Sequence, residues 1–341
     1  MTMKKPRLAS AVLIICGCMA LFGPGCKRRR AEYPERDITN VLVWGAGGGT
    51  DICNRVVAAE MSKILGININ VVNKTGGVGG SVGMNYAYSR PHDGYTLCGL
   101  SESCVTAGVQ GGFKKRMDAW DFFIIGGSPD VLSVSADAGY GDLNALIEAA
   151  KTNRGSLRAG ASAAGSIHHL NLLALENGTG AKFNFIPYPG SAPAHNAAMT
   201  GEVSVVVTSI AEQAQLIRSG KLKPLAMLTP EAYSFEETRI PSAFDSYPDL
   251  SKYLPISQAI GFALPADVPD PIKSRLVDAF NQALQTESFK TWARENYLSV
   301  SGKTGQEAKE VFNRLESVFA WTLWELNAAK VDPATLQIPR P

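Results

Sequence analysis

The sequence has little net charge and few cysteines, and both shortages exclude classes of function. Its 33 Lys and Arg residues nearly balance 31 Asp and Glu residues, and a net charge of +2 is too close to neutral for a nucleic-acid-binding surface. The six cysteines form no C-x-x-C pair and no Cys/His cluster at metal-ligand spacing. After residue 30, no stretch approaches the roughly 18 apolar residues of a membrane-spanning helix. We therefore expect no bound metal, no nucleic acid and no later membrane span.

The composition is that of a folded globular protein. Hydrophobic residues make up 45% of the 341 residues and charged residues 19%, which excludes a disordered chain. At ~100–200 residues per domain, this length predicts two compact units. No internal repeat at the period of a solenoid or propeller is present.

The first 30 residues have the pattern of an export leader. Lys4, Lys5 and Arg7 precede a short apolar run over residues 8–22, which is the order of a secretory signal. Cys26 follows Gly25 as in the lipobox of bacterial lipoproteins, and Cys18 lies in a competing box. We expect export to the periplasm with a lipid anchor at Cys26; simple cleavage that discards Cys26 is the alternative.

The positive charge of the leader offsets a net negative charge in the rest of the chain. It holds seven basic and no acidic residues, which leaves 26 basic and 31 acidic residues in the body. Export would permit a disulfide between Cys98 and Cys104, although spacing alone does not establish one.

Strand and helix patterns alternate along the body. Residues 38–44 predict a strand, residues 45–51 a glycine loop, and the following helix is predicted to end at Gly66. Residues 67–71 predict a second strand, which makes a βαβ unit, and a second glycine loop follows over residues 75–83. Further strands are predicted over residues 95–100, 131–134, 183–187, 203–208 and 259–264, and helices over 143–151, 167–176, 193–199, 211–219, 271–285, 289–297 and 305–327. The fold class is α/β, and the chain could enter a second domain at 131–134 and return at 259–264.

The first glycine loop favours a small anion over a dinucleotide. The third glycine of G-x-G-x-x-G would fall at Thr50, and no acidic residue follows at the ribose-binding distance. Glycines still let backbone amides approach a ligand, and a helix N-terminus favours a carboxylate there. The alternative is that the glycines only make a tight turn and Asp51 caps the helix.

A hydrolase is the competing class. Residues 79–83 satisfy G-x-S-x-G around Ser81, but no strand leads directly into that serine, as a nucleophile elbow requires. Ser166 is the second candidate nucleophile, and either would need one of the four histidines, His92, His168, His169 and His195. Adjacent His168 and His169 point about 100° apart on a helix, so we expect hydrogen bonds at a helix start capped by Ser166 rather than a metal site.

Four aromatic residues lie in the last predicted helix at roughly helical spacing. Phe312, Phe319, Trp321 and Trp324 predict core packing, with a docking surface for a membrane partner as the alternative.

Seven short motifs occur together in a fixed order, and they carry a family resemblance. They are Ala46-Gly47-Gly48-Gly49-Thr50-Asp51 with Arg55, the glycine run of residues 77–83, Asp93-Gly94-Tyr95-Thr96-Leu97, Gly165-Ser166 with His169-Leu170, Pro187-Tyr188 with Gly190, Gly201 with Val203, and Gly261-Phe262 with Pro265. From Tyr33 onward the chain resembles the extracytoplasmic solute receptors of tripartite tricarboxylate transporters, the Bug or TctC-like family.

The chain departs from the family pattern at the rims of the expected cleft. Asn73, Lys74 and Gly76 replace the usual Glu, Asn and Pro, and Pro189 replaces a common Lys. His195-Asn196 stand where an acidic residue and Leu are frequent. The ligand therefore need not be the family's commonest one.

The resemblance implies a two-domain periplasmic binding protein fold, type II-like, with two crossover strands forming a hinge. Residues 31–130 and 262–341 would form domain I, and residues 131–261 domain II, after a leader of residues 1–30. It further implies a monomeric receptor without cofactor or catalytic role, which binds a di- or tricarboxylate or related organic anion and delivers it to a membrane permease. A periplasmic sensing subunit with the same fold and site is an alternative.

The expected ligand contacts follow from the two glycine loops and the motifs. Backbone donors of both loops would hold one carboxylate, while Ser166, His169 and Tyr188 approach from the second domain and Asp51 orients its own loop. The full expected set is Gly47, Gly48, Gly49, Thr50, Asp51, Gly77, Gly79, Gly80, Ser81, Ser101, Ser162, Gly165, Ser166, His169, Tyr188, Gly190, Ser191 and Thr208.

Overall fold

Two β-sheets, each covered by helices, organise the chain. The computed structural model describes residues 1–3, 33–252, 254, 258–325 and 327–341, and Tyr33–Pro341 form one unit. The leader motifs and Cys26 lie outside the described residues. Within the described part, no helix has both the length and the apolar character that a membrane crossing requires.

The first part of the chain builds most of one sheet and two helices. Its elements are β1 (Ile38–Leu42), α1 (Gly49–Leu65), β2 (Ile69–Asn73), α2 (Ser81–Tyr88), β3 (Thr96–Ser101) and β4 (Trp120–Gly127). Helix α1 ends where the sequence predicts, because Gly66 takes a left-handed conformation (φ 71°) and donates its N–H to the Ser62 carbonyl.

The middle part builds the second sheet. Its elements are β5 (Asp130–Ser135), α3 (Leu143–Thr152), β6 (Arg158–Ser162), α4 (Ile167–Thr179), β7 (Asn184–Tyr188), α5 (Ser191–Met199), β8 (Val205–Ser209), α6 (Ile210–Arg218), β9 (Leu222–Met227), β10 (Tyr233–Phe235) and β11 (Thr238–Ile240).

The last part returns to the first sheet and ends in helices. Its elements are β12 (Ile260–Pro265), α7 (Asp270–Gln285), α8 (Glu287–Glu295), β13 (Ser299–Lys303) and α9 (Gly305–Glu325). As the sequence predicts, Phe312, Phe319 and Trp321 of α9 are buried, whereas Trp324 is 39% exposed. The Phe312 ring stacks on Phe122 of β4 with 3.8 Å between centroids.

The order of strands defines two lobes. The six-stranded sheet has the order β13-β4-β12-β3-β1-β2, and the five-stranded sheet β7-β6-β8-β5-β9. Strand β1 runs parallel to β2, which confirms the predicted βαβ unit, and β12 runs antiparallel to both β3 and β4. We call the first sheet with its helices the first lobe, and the second sheet with its helices the second lobe.

The chain passes between the lobes at adjacent places. Strand β4 ends at Gly127 and β5 begins at Asp130, so Ser128 and Pro129 alone link the two sheets on the way out. On the way back, β12 begins at Ile260. Antiparallel pairing brings Ile260 beside Gly126, so both passages lie side by side, as a hinge requires. The predicted domain boundaries at 130/131 and 261/262 stay a prediction.

Some elements differ from the sequence patterns. Helix α2 begins inside the predicted second glycine loop, because Gly79 and Gly80 adopt positive φ (58° and 74°) and turn the chain directly into a helix. Strands β4, β6, β9 and β13 and the β10–β11 hairpin are additional to the predicted set. Cys98 and Cys104 are buried free thiols, so the possible disulfide between them is absent.

Candidate ligand-binding cleft

A cleft between the lobes lies at the carboxyl ends of five strands. Trp44 and the first glycine loop follow β1, and Ser101 ends β3. From the second lobe, Ser162 ends β6, Ser191 follows β7 and Glu212 follows β8. Open α/β sheets bind ligands at this edge, where helix N-termini converge.

The cleft is narrow, and polar and apolar atoms contribute about equally to its walls. The cavity volume is about 30 Å³, which holds roughly two waters. The lining residues are Trp44, Gly45, Gly48, Gly49, Thr50, Ser101, Glu102, Ser103, Ser162, His168, Gly190, Ser191, Glu212, Gln258 and Ile260.

Asp51 organises the first glycine loop from behind. Its carboxylate accepts hydrogen bonds from the Gly47 N–H (3.1 Å), Arg55 Nε (2.9 Å) and Asn73 Nδ2 (2.9 Å). Burial acts to raise the pKa of Asp51, but hydrogen bonds from Arg55, Asn73 and Gly47 outweigh it and lower the pKa. Asp51 is therefore charged and holds the loop in place, and its carboxylate occupies the Gly47 N–H.

Glu212 reaches across the cleft to the start of α1. Its Oε1 accepts the Gly49 N–H at 2.8 Å, although the two residues lie in different lobes. Its Oε2 accepts the Ser209 N–H (3.1 Å) and hydroxyl (2.9 Å), which completes a capping box at the start of α6. Burial acts to raise the pKa of Glu212, but the charge of His168 and the hydrogen bonds from the Gly49 amide and the Ser191 hydroxyl outweigh it and lower the pKa. The carboxylate is therefore ionised in the folded chain.

His168 is a buried cation between two acidic side chains. Its Nδ1 lies 2.8 Å from Asp130 Oδ2 and its Nε2 3.4 Å from Glu212 Oε2. Burial acts to lower the pKa of His168, but Asp130, Glu212 and Glu102 outweigh it and raise the pKa to about 9. Both ring nitrogens therefore carry protons at neutral pH: Nδ1 donates a hydrogen bond to Asp130, and the Nε2 side forms an ion pair with Glu212.

Glu102 forms the floor of the cleft at the end of β3. It is 1% exposed and accepts hydrogen bonds from the Ser103 hydroxyl (2.7 Å) and the Ala259 N–H (2.8 Å). Burial raises its pKa, while those two hydrogen bonds and the charge of His168 oppose the shift. Ser103 Oγ also accepts the Ile167 N–H at 2.9 Å and so joins the turn after β3 of the first lobe to α4 of the second.

Two other histidines lie behind the walls as neutral groups. His195 Nε2 lies 2.8 Å from Thr208 Oγ1, which also accepts from Gln213, so the Thr208 hydroxyl donates to His195. His169 Nδ1 accepts the Gly165 N–H at 3.1 Å, and its ring stacks on Phe185. Burial lowers the pKa of each histidine to about 4.

A family model matches residues 53–316, which is most of the chain, and its description is "Tripartite tricarboxylate transporter family receptor". The chain belongs to this family. The resemblance inferred from the seven motifs is therefore confirmed.

Curated relatives and solved structures agree with the family. The receptor is 32% identical to Protein BugT of Bordetella pertussis over 205 residues, 58% of this chain and 62% of that one. It is 25% identical over 302 residues to a UPF0065 protein of Pseudomonas sp. strain P51, which covers 84% of each chain.

Solved structures have the same two-lobed fold. The periplasmic binding protein BugD superposes with a TM-score of 0.76 at 24% identity, covering 87% of this chain and 99% of that one. MatC of Rhodopseudomonas palustris with bound malate gives a TM-score of 0.76 at 22% identity, covering 85% and 100%. An R. palustris protein with adipate gives 0.77 at 23% identity, covering 87% and 99%. The fold of the receptor is thus that of a two-domain periplasmic binding protein.

The receptor brings seven of the residues predicted from its sequence to the cavity wall. They are Gly48, Gly49, Thr50, Ser101, Ser162, Gly190 and Ser191. Six others support the wall from behind through the hydrogen bonds of the loops and helix starts, namely Gly47, Asp51, Gly165, Ser166, His169 and Thr208. Whether any of them contacts a solute stays a prediction.

The remaining predicted residues lie away from the cavity wall. Gly79 and Gly80 pack against the turn of residues 106–107 and against Val43, with Gly77 and Ser81 beside them. The Tyr188 hydroxyl donates to Glu202 at 2.7 Å on an exposed face. The second glycine loop therefore supports the first lobe in this conformation, and its part in binding stays a prediction.

The predicted set lacks the charged residues of the cleft. Glu102, His168 and Glu212 line the cavity together with Trp44, Gly45, Ser103, Gln258 and Ile260. One signal was available in the sequence: Ser209 and Glu212 have the S-x-x-E spacing of a capping box directly after a strand. The pairing of His168 with Asp130 joins residues 38 apart, and no local pattern indicates it.

Neither candidate nucleophile has a histidine base in the described part of the chain. The Ser166 hydroxyl donates to the Ser162 carbonyl at 2.9 Å and caps α4 by accepting the His169 N–H. Ser81 is buried beneath Gly77 and Gly112. Among the described residues, no three His, Cys, Asp or Glu side chains group to hold a metal ion.

Proposed function

We propose that this receptor binds a small organic carboxylate in the cleft between its lobes and delivers it to the permease of a tripartite tricarboxylate-type transporter. Membership of the receptor family supports the proposal. The structures of related fold with malate and with adipate support a carboxylate as the solute.

One contact within the cleft carries the proposal. The Gly49 N–H at the start of α1 already binds a carboxylate oxygen, that of Glu212, at 2.8 Å. The amides of a helix N-terminus point toward this oxygen, and the helix dipole favours negative charge there. The carboxylate of a solute would find the same donor and the same field.

Recognition of the solute is expected to be local. The body of the chain has 26 basic and 31 acidic residues, so its overall charge does not attract an anion. Amide donors, hydroxyls such as Ser101 and Ser191, and the helix N-termini supply the attraction instead. We further propose that the leader exports the receptor to the periplasm and that a lipid at Cys26 anchors it.

The substitution Gly48→Val tests the site. Gly48 has an ordinary extended conformation (φ −82°), and an added Cβ would lie 3.6 Å from its nearest neighbour, the Gly45 oxygen. The variant is therefore expected to fold with its isopropyl group in the cleft. Titration calorimetry with malate, adipate and a tricarboxylate should show binding to the natural chain and at least about tenfold weaker binding to the variant.

The matched control is Gly141→Val, the same change at an exposed position with no atom near the added Cβ. It should leave binding unchanged. A solute at 100 times its Kd should also raise the unfolding free energy of the natural chain by about 2.7 kcal/mol. Equal affinity in both variants would place the site elsewhere, and no binding of any organic acid would contradict the proposed function.

A further inference from the structure

The two oxygens of Glu212 have different partners and different roles. Oε2 closes the capping box with Ser209 at the start of α6, a contact within one helix turn. Oε1 binds the Gly49 N–H, which lies 163 residues away in the other lobe. A capping box needs only one carboxylate oxygen, so helix capping does not explain the contact to Gly49.

Glu212 also fills the space above the start of α1. A Cβ built on Gly49 would lie 3.0 Å from Glu212 Oε1 and 3.3 Å from Ile260 Cδ1. The cavity left beside Glu212 has a volume of about 30 Å³, which is room for roughly two waters. That is far less than a dicarboxylate needs, so in this conformation such a solute and the Glu212 side chain cannot share the cleft.

The charge on Glu212 adds to the steric conflict. The side chain is 7% exposed, and His168 and the Gly49 amide stabilise its ionised form. A second carboxylate brought to the Gly49 amide would lie against this one in a poorly solvated cleft, where like charges repel strongly.

We propose that Glu212 is a built-in competitor for the solute: its carboxylate occupies the Gly49 amide and holds the lobes together, and a carboxylate solute must displace it to bind. The inference rests on the proposed function, because it assumes that the solute uses the Gly49 amide. Glu212 thereby sets the solute concentration at which the receptor fills. The measured affinity falls as the fraction of receptor molecules with Glu212 bound to Gly49 rises.

The test compares Glu212→Ala with Ser209→Ala. Both changes remove part of the capping box, but only the first removes the carboxylate from Gly49. Calorimetric titration of the full chain with malate and adipate should give at least about tenfold tighter binding for Glu212→Ala and less than about twofold change for Ser209→Ala. If Glu212→Ala fails to fold, Glu212→Gln removes the charge at nearly the same volume and should show the same direction.

Small-angle X-ray scattering without added solute gives a second measure. Loss of the Glu212 contact should increase the radius of gyration of Glu212→Ala relative to the natural chain and to Ser209→Ala. Unchanged or weaker carboxylate binding by Glu212→Ala would overturn the inference while leaving the proposed function in place. If no variant binds any carboxylate, the proposed function fails, and an unchanged radius of gyration would then refute the closing role of Glu212 as well.

Discussion

At the scale of single residues, the buried histidines divide into two kinds. His168 lies between Asp130 and Glu212 and is charged, whereas the half-buried His169 and the buried His195 form no ion pair with a described carboxylate and are neutral. The sequence predicts that the two adjacent histidines lie at a helix start, but no pattern in it indicates their charge. The charge depends on Asp130 of β5, a neighbour that only the fold brings within reach.

These pKa shifts predict a stability maximum near neutral pH. The pKa of His168 is raised from 6.5 to about 9, so its contribution is complete below about pH 6.5 and is lost as the pH rises to about 9. The pKa values of His169 and His195 are lowered to about 4, so protonation of the unfolded chain removes their contribution as the pH falls from 6.5 to about 4. Denaturant unfolding between about pH 4 and about pH 9 should show both losses, the alkaline one on the order of 3 kcal/mol.

Single-residue variants assign the two sides of this profile. His168→Gln should reduce only the loss of unfolding free energy at alkaline pH. His195→Asn should reduce only the loss at acid pH. An alkaline loss of the same size in His168→Gln would show that another group titrates there.

At the scale of elements, the loop between β1 and α1 is built around Asp51. Asn73 at the end of β2 donates both to Asp51 and to the Trp44 carbonyl (2.9 Å each), and its own oxygen accepts from Arg55. These hydrogen bonds brace the loop from the end of β2. The brace fixes Gly48 and Gly49, although Asp51 itself does not line the cavity.

Asp51→Ala should therefore weaken both folding and binding. The change leaves the Gly47 N–H and the Arg55 and Asn73 donors without their carboxylate, which is 5% exposed, and should lower the unfolding free energy by ~2–3 kcal/mol. Loosening of the loop should also weaken malate or adipate binding about tenfold. Chemical denaturation and calorimetry measure the two effects.

The control for this variant is Asp37→Ala, which removes an exposed carboxylate that accepts from Asn68 in the same lobe. It should leave binding unchanged. Normal affinity in Asp51→Ala would show that the glycine loop keeps its shape without the brace.

Elements with a long repeating pattern were predictable from sequence, and tertiary pairings were not. Helices α1, α3 and α7 follow their apolar spacing closely, because each buries one face on a sheet. Strand β2 lies two residues later than predicted, since its register is set by pairing with β1 rather than by its own pattern. Helix α2 was hidden by the glycines before it, whose positive φ values are invisible in a sequence.

At the scale of the whole molecule, the lobes meet through contacts that differ in their effect on solute binding. Glu212 joins them by occupying the Gly49 amide, whereas Ser103 joins them by accepting the Ile167 N–H. Far from the cavity, Arg218 of α6 donates to the Tyr297 hydroxyl at 3.0 Å. The Glu212 contact competes with a solute for the Gly49 N–H. The Ser103 contact favours the closed arrangement of the lobes without using that N–H.

Ser103→Ala should therefore change affinity in the direction opposite to Glu212→Ala. Closing the variant would leave the buried Ile167 N–H without its acceptor, at a cost of ~1–2 kcal/mol, so malate or adipate should bind about five- to thirtyfold more weakly. Scattering without solute should show expansion in both variants, because each loses a contact between the lobes. Tyr297→Phe, which removes a hydroxyl between the lobes away from the cavity, should leave affinity within about twofold. Tighter binding by Ser103→Ala would mean that the Ile167 contact, like that of Glu212, opposes the solute, and closure would then have to depend on the solute alone.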